Sequence, residues 1–155
     1  MKYLFIFIFF FNSVLYSQTN EKADSITYYS NLTKSNILNN KYKNALFYTQ
    51  KAINYSKKIQ NTLAQANQTY TLGKIYFDLK KYSDAIETFH KSITLYKKLN
   101  PTATYAYSYY YLGLCYAAKA NFADAEICLD QTQSIFDELK ITDTAEIITL
   151  QRGIL

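Results

Sequence analysis

Residues 69–96 read TYTLGKIYFDLKKYSDAIETFHKSITLY, and forty positions later residues 109–136 read YYYLGLCYAAKANFADAEICLDQTQSIF. Laid over one another, the two stretches share Leu72-Gly73 with Leu112-Gly113, Tyr76 with Tyr116, and Ala85 with Ala125. The same spacing reaches outward in both directions. Ala45 precedes Ala85 by one period, Leu32 stands one period before Leu72, and Gly153 follows Gly113. Tyr42, Tyr82 and Phe122 form a further aromatic series. Several residue types agreeing on one period mark an internal repeat, in which each unit buries its apolar face against its neighbours.

Within each unit the spacing is helical. Thr69, Leu72, Gly73 and Tyr76 fall three or four apart, on one stripe of a helix. Past a break at Lys80-Lys81, a second stripe runs through Tyr82, Ala85, Ile86, Phe89 and Ile93. The next unit repeats this with Tyr109, Leu112, Gly113 and Tyr116, then Phe122, Ala125 and Leu129. Small residues on the paired stripes, Gly73 opposite Ala85 and Gly113 opposite Ala125, predict close approach of two antiparallel helices. Asn100-Pro101 reads as a helix start, a cap followed by a residue whose missing N–H costs nothing there. Asp143 with Glu146 three later reads as another start, close to a capping box. Only three glycines and one proline occur in 155 residues, which suits long helices joined by short turns.

The pattern resembles the tetratricopeptide repeat. It stands here as Thr69, Leu72-Gly73, Tyr76, Ala85, Phe89 and Ser92, and again as Tyr109, Leu112-Gly113, Tyr116, Ala125, Leu129 and Thr132. A weaker first unit holds Tyr29, Leu32, Thr33, Asn36, Ala45, Thr49 and Ala52. The resemblance spans nearly all of residues 26–155. It implies an all-α fold, a right-handed superhelical stack of antiparallel helix pairs at about 26–59, 62–99 and 102–139. Residues 142–155 then form a capping helix or the first helix of a truncated fourth unit. Two departures stand out: the period is 40 rather than about 34 residues, and Lys97 and Asp137 occupy the place of the usual closing proline. The longer period predicts longer helices or a longer connection.

The first residues precede this array. Lys2 is followed by an unbroken apolar stretch from Tyr3 to Phe11, and Ser17 lies before polar Gln18-Thr19-Asn20. That layout is a secretory signal peptide over residues 1–17; a spanning helix needs about 20 apolar residues. The expectation is therefore an exported protein, periplasmic or associated with the envelope or the extracellular side, with no stable membrane span after cleavage. The net charge of +5 hides an asymmetry. Lysines outnumber acids 13 to 5 from Gln18 to Leu99, whereas acids outnumber bases 7 to 3 from Asn100 to Leu155. Arg152 is the only arginine, and the lysines are dispersed, so a nucleic-acid partner is not expected.

Chemistry finds little support in the sequence. His90 is the single histidine, lying between Phe89 and Lys91 without an acid or cysteine at ligand spacing. A general base needs an oriented partner, so no catalytic, cofactor or metal residue is assigned. Asp124, Glu126 and Asp130 read as a solvated helix face. Cys115 and Cys128 fall on the two helices of one unit; buried free thiols are the expectation, with a disulfide as the alternative if their Cα atoms lie within about 7 Å.

What remains is a surface. In tetratricopeptide arrays the first helix of each pair lines a concave groove that holds peptides. Carried onto this sequence, the groove takes Asn67, Tyr70, Lys74 and Phe77 from one unit, and Tyr107, Tyr110, Leu114 and Ala117 from the next. The resemblance thus implies a non-catalytic scaffold binding a protein or peptide. Other readings are a truncated periplasmic sensor segment of a signalling protein, a hydrolase of envelope material built on scattered acids, and an assembly part that self-associates through its C-terminal helix. The apolar residues Ile147, Ile148, Ile154 and Leu155 bear on the last.

Overall fold

The computed structural model describes residues 25–141, so the leader segment and the C-terminal helix expected at 142–155 lie outside the described residues. Every regular element among the described residues is an α-helix. These are α1 (residues 25–38), α2 (Tyr42–Lys58), α3 (Thr62–Asp78), α4 (Tyr82–Tyr96), α5 (Ala103–Ala118) and α6 (Phe122–Glu138). The fold is all-α, of the helix-pair solenoid type. The chain divides into two compact units, one ending at Asn61 and the other starting at Thr62.

A 20-residue rule generates these elements. Asn40, Gln60, Lys80, Ala120 and Lys140 all adopt φ between 55° and 58°, in the left-handed region, although none is glycine. At each, two backbone bonds close the preceding helix. Lys80 N–H donates to Phe77 O (2.8 Å) and Lys81 N–H to Tyr76 O (2.9 Å), and Ala120 with Asn121 repeats the pair onto Ala117 O and Tyr116 O (both 2.9 Å). These are Schellman closures, with the residue after the left-handed one donating back across six residues. Helices of 17 residues and three-residue turns follow, so the extra length of the 40-residue period resides in the helices.

One member of the series is missing. The donating positions are Lys41, Asn61, Lys81, Asn121 and Ile141; the sixth would be residue 101, and it is Pro101, which has no N–H to give. The helix before it, α4, accordingly ends early, with 15 residues, and a longer connection follows. The helix start that the sequence places at Asn100-Pro101 is therefore not where α5 begins. Thr102 caps that helix instead: its backbone is extended and its hydroxyl accepts the N–H of Tyr105 at 3.2 Å.

In the first unit α1 lies on α2 around a core of small residues. Thr33, Ala45, Thr49, Ala52 and Ser56 are all buried. Thr49 Oγ1 lies 3.2 Å from Thr33 Oγ1 and donates to its own helix at Ala45 O (2.7 Å). Tyr29 flanks the pair, its ring 5.6 Å from Tyr55 and 6.2 Å from Tyr48.

In the second unit α3 packs on α4, α4 on α5 and α5 on α6, while α3 also touches α5. Both hairpins are pinned alike. Ser92 Oγ donates to Ala66 O (3.2 Å), and forty residues on Thr132 Oγ1 reaches Ala106 O (3.5 Å). The two alanines let the helix backbones come close, and the hydroxyl satisfies itself across the gap. Gly113 performs the same service opposite α6: a Cβ there would sit 3.2 Å from the Ala125 carbonyl oxygen. The other glycine differs from its expectation. Gly73 faces the ring of Phe89, whose Cε1 would lie 2.7 Å from an added Cβ, rather than Ala85. Ala85, Phe89, Ile93, Leu112, Cys115 and Cys128 form the main core. Phe122, placed on the apolar stripe by its spacing, is 50% exposed at the start of α6.

Candidate partner-binding face

The first helices of the two pairs in the second unit, α3 and α5, carry all eight candidate groove residues. The structure sorts these residues by what they already touch. Asn67 is partly buried, and its side-chain oxygen accepts the phenolic O–H of Tyr96 from α4. Tyr70 packs against the core, its ring 6.1 Å from Phe89 and 6.0 Å from Tyr111. Burial, reinforced by the neighbouring phenols Tyr111 and Tyr107, pushes the Tyr70 hydroxyl well above the usual phenol range. It is therefore a neutral group in the folded chain. Phe77 lies between Tyr82 (5.9 Å) and Tyr111 (5.4 Å). Lys74 holds its ammonium 5.0 Å from the Tyr111 ring centroid, a cation–π contact that fixes the charge at this surface.

On α5, Tyr107 is 37% exposed and braced edge-on against Phe136 at 5.3 Å. Tyr110 is partly buried and meets Tyr111 edge-on at 5.5 Å; burial raises its pKa as well. Leu114 and Ala117 have intermediate exposure. Residues from both helices thus come together, and Tyr111 joins them. Its ring touches Tyr70, Phe77, Tyr110 and Lys74, and it stacks on Phe89 at 5.9 Å. The sequence does not single out Tyr111, because the repeat gives no hint: the equivalent residue one period earlier is Thr71. Tyr96 is hidden for the same reason, since its equivalent is Phe136, which has no hydroxyl.

The face is nearly uncharged. Along its 16 residues α5 carries no Asp, Glu, Lys or Arg, and α3 contributes only Lys74 and Asp78. Burial raises the Asp78 carboxyl pKa, with Lys74 opposing the shift. Elsewhere, His90 is exposed and shares a hydrogen bond of 3.0 Å with the Tyr116 hydroxyl. Cys115 and Cys128 are free, buried thiols, each pushed up to about 12 by burial, with the neighbouring Cys128 adding to the shift at Cys115 and Asp124 to that at Cys128. Among the described residues no three His, Cys, Asp or Glu side chains gather as metal ligands, and no helix is long and apolar enough to cross a membrane.

Residues 65–138, which include this face, match the sequence model of the tetratricopeptide repeat. That stretch belongs to the tetratricopeptide repeat family. Among solved structures the chain resembles BtubC from P. vanneervenii, with a TM-score of 0.69 and 20% identity over 76% of this chain and 48% of that one. It also resembles the apo form of RapI (TM-score 0.77, 16% identity, 84% of this chain and 36% of that one). A third is the tetratricopeptide domain of Arabidopsis FLU (TM-score 0.70, 14% identity, 76% and 98%). At these identities the likeness is one of fold. The chain spans about half the length of BtubC and 36% of RapI. No curated protein matches it in sequence. Tetratricopeptide arrays generally mediate protein–protein interactions.

Proposed function

We propose that the chain is an exported, non-catalytic scaffold that binds a protein or peptide segment along the α3–α5 face. One observation carries this reading. Tyr70, Lys74 and Phe77 of α3 and Tyr110 of α5 form one aromatic surface through Tyr111, with exposed Tyr107 of α5 braced on Phe136 and near Tyr70 and Tyr110, on helices that are almost free of charge. Tyrosine offers a large rigid face and a hydroxyl at low entropic cost, and side chains already braced by neighbours lose little freedom on binding. An extended peptide with few charges fits such a face, with Lys74 supplying its one fixed cation. Export rests on the order of Lys2, the apolar stretch Tyr3–Phe11 and Ser17 before a polar segment.

Peptides selected from a random library on the isolated chain test the face. Tyr107→Ala is expected to weaken their binding by about tenfold or more, the effect of losing an aromatic anchor. Lys119→Ala, on the turn side of α5, is expected to leave it unchanged. Equal binding to wild type and Tyr107→Ala would place the site elsewhere. N-terminal sequencing of the protein from fractionated cells tests export: a chain starting at Gln18 outside the cytoplasm supports it, and one retaining Met1 within the cytoplasm overturns it.

A further inference from the structure

The charge asymmetry of the sequence becomes two oppositely charged helix surfaces, one on α2 and one on α6. Among the described residues of the first unit, 25–61, there are six lysines and no acid at all. On α2 an exposed stripe runs through Lys43, Phe47, Lys51, Asn54 and Lys58 at helical spacing. Phe47 is 56% exposed, and the Lys51 ammonium sits 5.4 Å from its ring centroid. A large apolar side chain at the surface with a cation held over it is a contact surface in waiting.

Helix α6 is its inverse. It carries Asp124, Glu126, Asp130, Asp137 and Glu138 and no basic residue. Its outer stripe runs Phe122, Glu126, Asp130 and Asp137, with Phe122 and Ile127 50% and 59% exposed. Both helices have 17 residues, and both stripes cover the same number of residues, about 22 Å of helix. Each therefore offers an exposed phenylalanine among charges of a single sign, and the signs are opposite.

We infer that α2 of one copy docks against α6 of a second copy. The partner is another molecule of this chain because the chain itself carries both complementary halves. The contact joins unlike surfaces, so it is head-to-tail, and each molecule has one basic and one acidic face to offer. Electrostatic complementarity sets the pairing and makes it salt-dependent; Phe47, Phe122 and Ile127 supply the apolar area. This inference stands apart from the peptide-binding face, since none of its residues lies on α3 or α5.

Sedimentation velocity of the isolated chain over a concentration series, at low salt and at about 0.5 M salt, tests it, because the Debye length shrinks to a few ångströms toward molar salt. The expected result is concentration-dependent association at low salt that is lost at high salt. Lys43→Glu with Lys51→Glu, and separately Glu126→Lys with Asp130→Lys, each weaken association more than about tenfold by setting like charges face to face. All four positions are exposed, and helix content by circular dichroism verifies that the variants fold. An equimolar mixture of the two variants associates again, because the unchanged α6 of one meets the unchanged α2 of the other. A chain that stays monomeric at every concentration at low salt overturns the inference. So does association that survives both reversals, and so does a monomer that instead sediments with anionic phospholipid vesicles through Lys43 and Lys51.

Discussion

Gly73 and Gly113 occupy equivalent positions in two consecutive repeats, yet they are needed for different reasons. Alanine is the better helix former by about 1 kcal/mol, so Gly73→Ala would stabilise an isolated α3. In the folded chain the added Cβ would meet three atoms of the Phe89 ring within 2.9 Å. That ring cannot swing aside, because Tyr70 and Tyr111 flank it at 6.1 and 5.9 Å in the core. Overpacking of this kind costs about 1–3 kcal/mol. Gly73→Ala is therefore expected to lower the urea midpoint, and pairing it with Phe89→Leu, which removes the ring, is expected to recover part of the loss. A midpoint unchanged or raised by Gly73→Ala would show that α3 and α4 do not approach this closely.

At the scale of the element, helix ends decide where the units break. Four of the five left-handed closures use residues other than asparagine, the best tolerated non-glycine residue there. Lys80 and Ala120 each hold φ near 57° at a cost of roughly 1–2 kcal/mol relative to glycine's freedom, offset in part by glycine's larger unfolded-state entropy. Lys80→Gly and Ala120→Gly are expected to raise the thermal midpoint, by up to about 1 kcal/mol of stability each. The reverse outcome would mean that these residues do not close their helices. Thr102→Ala removes the acceptor for Tyr105 N–H and is expected to cost about 1 kcal/mol. Thr102→Ser, which keeps the hydroxyl, is expected to restore most of it. Asn121 caps α6 in the same way, accepting from Asp124 N–H while donating to its carboxylate at 2.6 Å.

For the molecule as a whole, the second unit has its polar groups buried in their neutral form, and this sets its response to alkali. Burial raises the Cys115 and Cys128 thiols from 9.0 to about 12 and the Tyr96 phenol from 10.0 to about 12. Their folded pKa values exceed the unfolded ones, so the folded chain holds these protons more tightly. The resulting stability is complete below about pH 9 and is lost as pH rises toward 12. The urea midpoint, followed by circular dichroism, is expected to fall steadily between pH 9 and 12. A midpoint that does not move through that window would mean that these groups are solvated in the folded chain.

The all-α class and the helix pairs were legible in the sequence because a 40-residue repeat of small and aromatic residues is a local record of where helices must approach. The turns were legible in part: Lys80-Lys81 marked a break, but the closing role of the left-handed residues, and the reason Pro101 interrupts them, depends on which backbone groups face one another. The candidate face was readable only as a set of helices. Asn67 and Tyr70 are already engaged within the chain, Tyr107 is exposed, and Tyr111 joins the set unannounced. Helix α5 shows why. It touches α3, α4 and α6, and with neighbours on three sides its sequence is apolar or neutral all round. An amphipathic period tells inside from outside only when a helix has one wet face and one dry one. The sequence by itself thus determined that five tyrosines would lie on this helix between residues 105 and 111; packing against three neighbours decided which of them anchors the core and which stays at the surface.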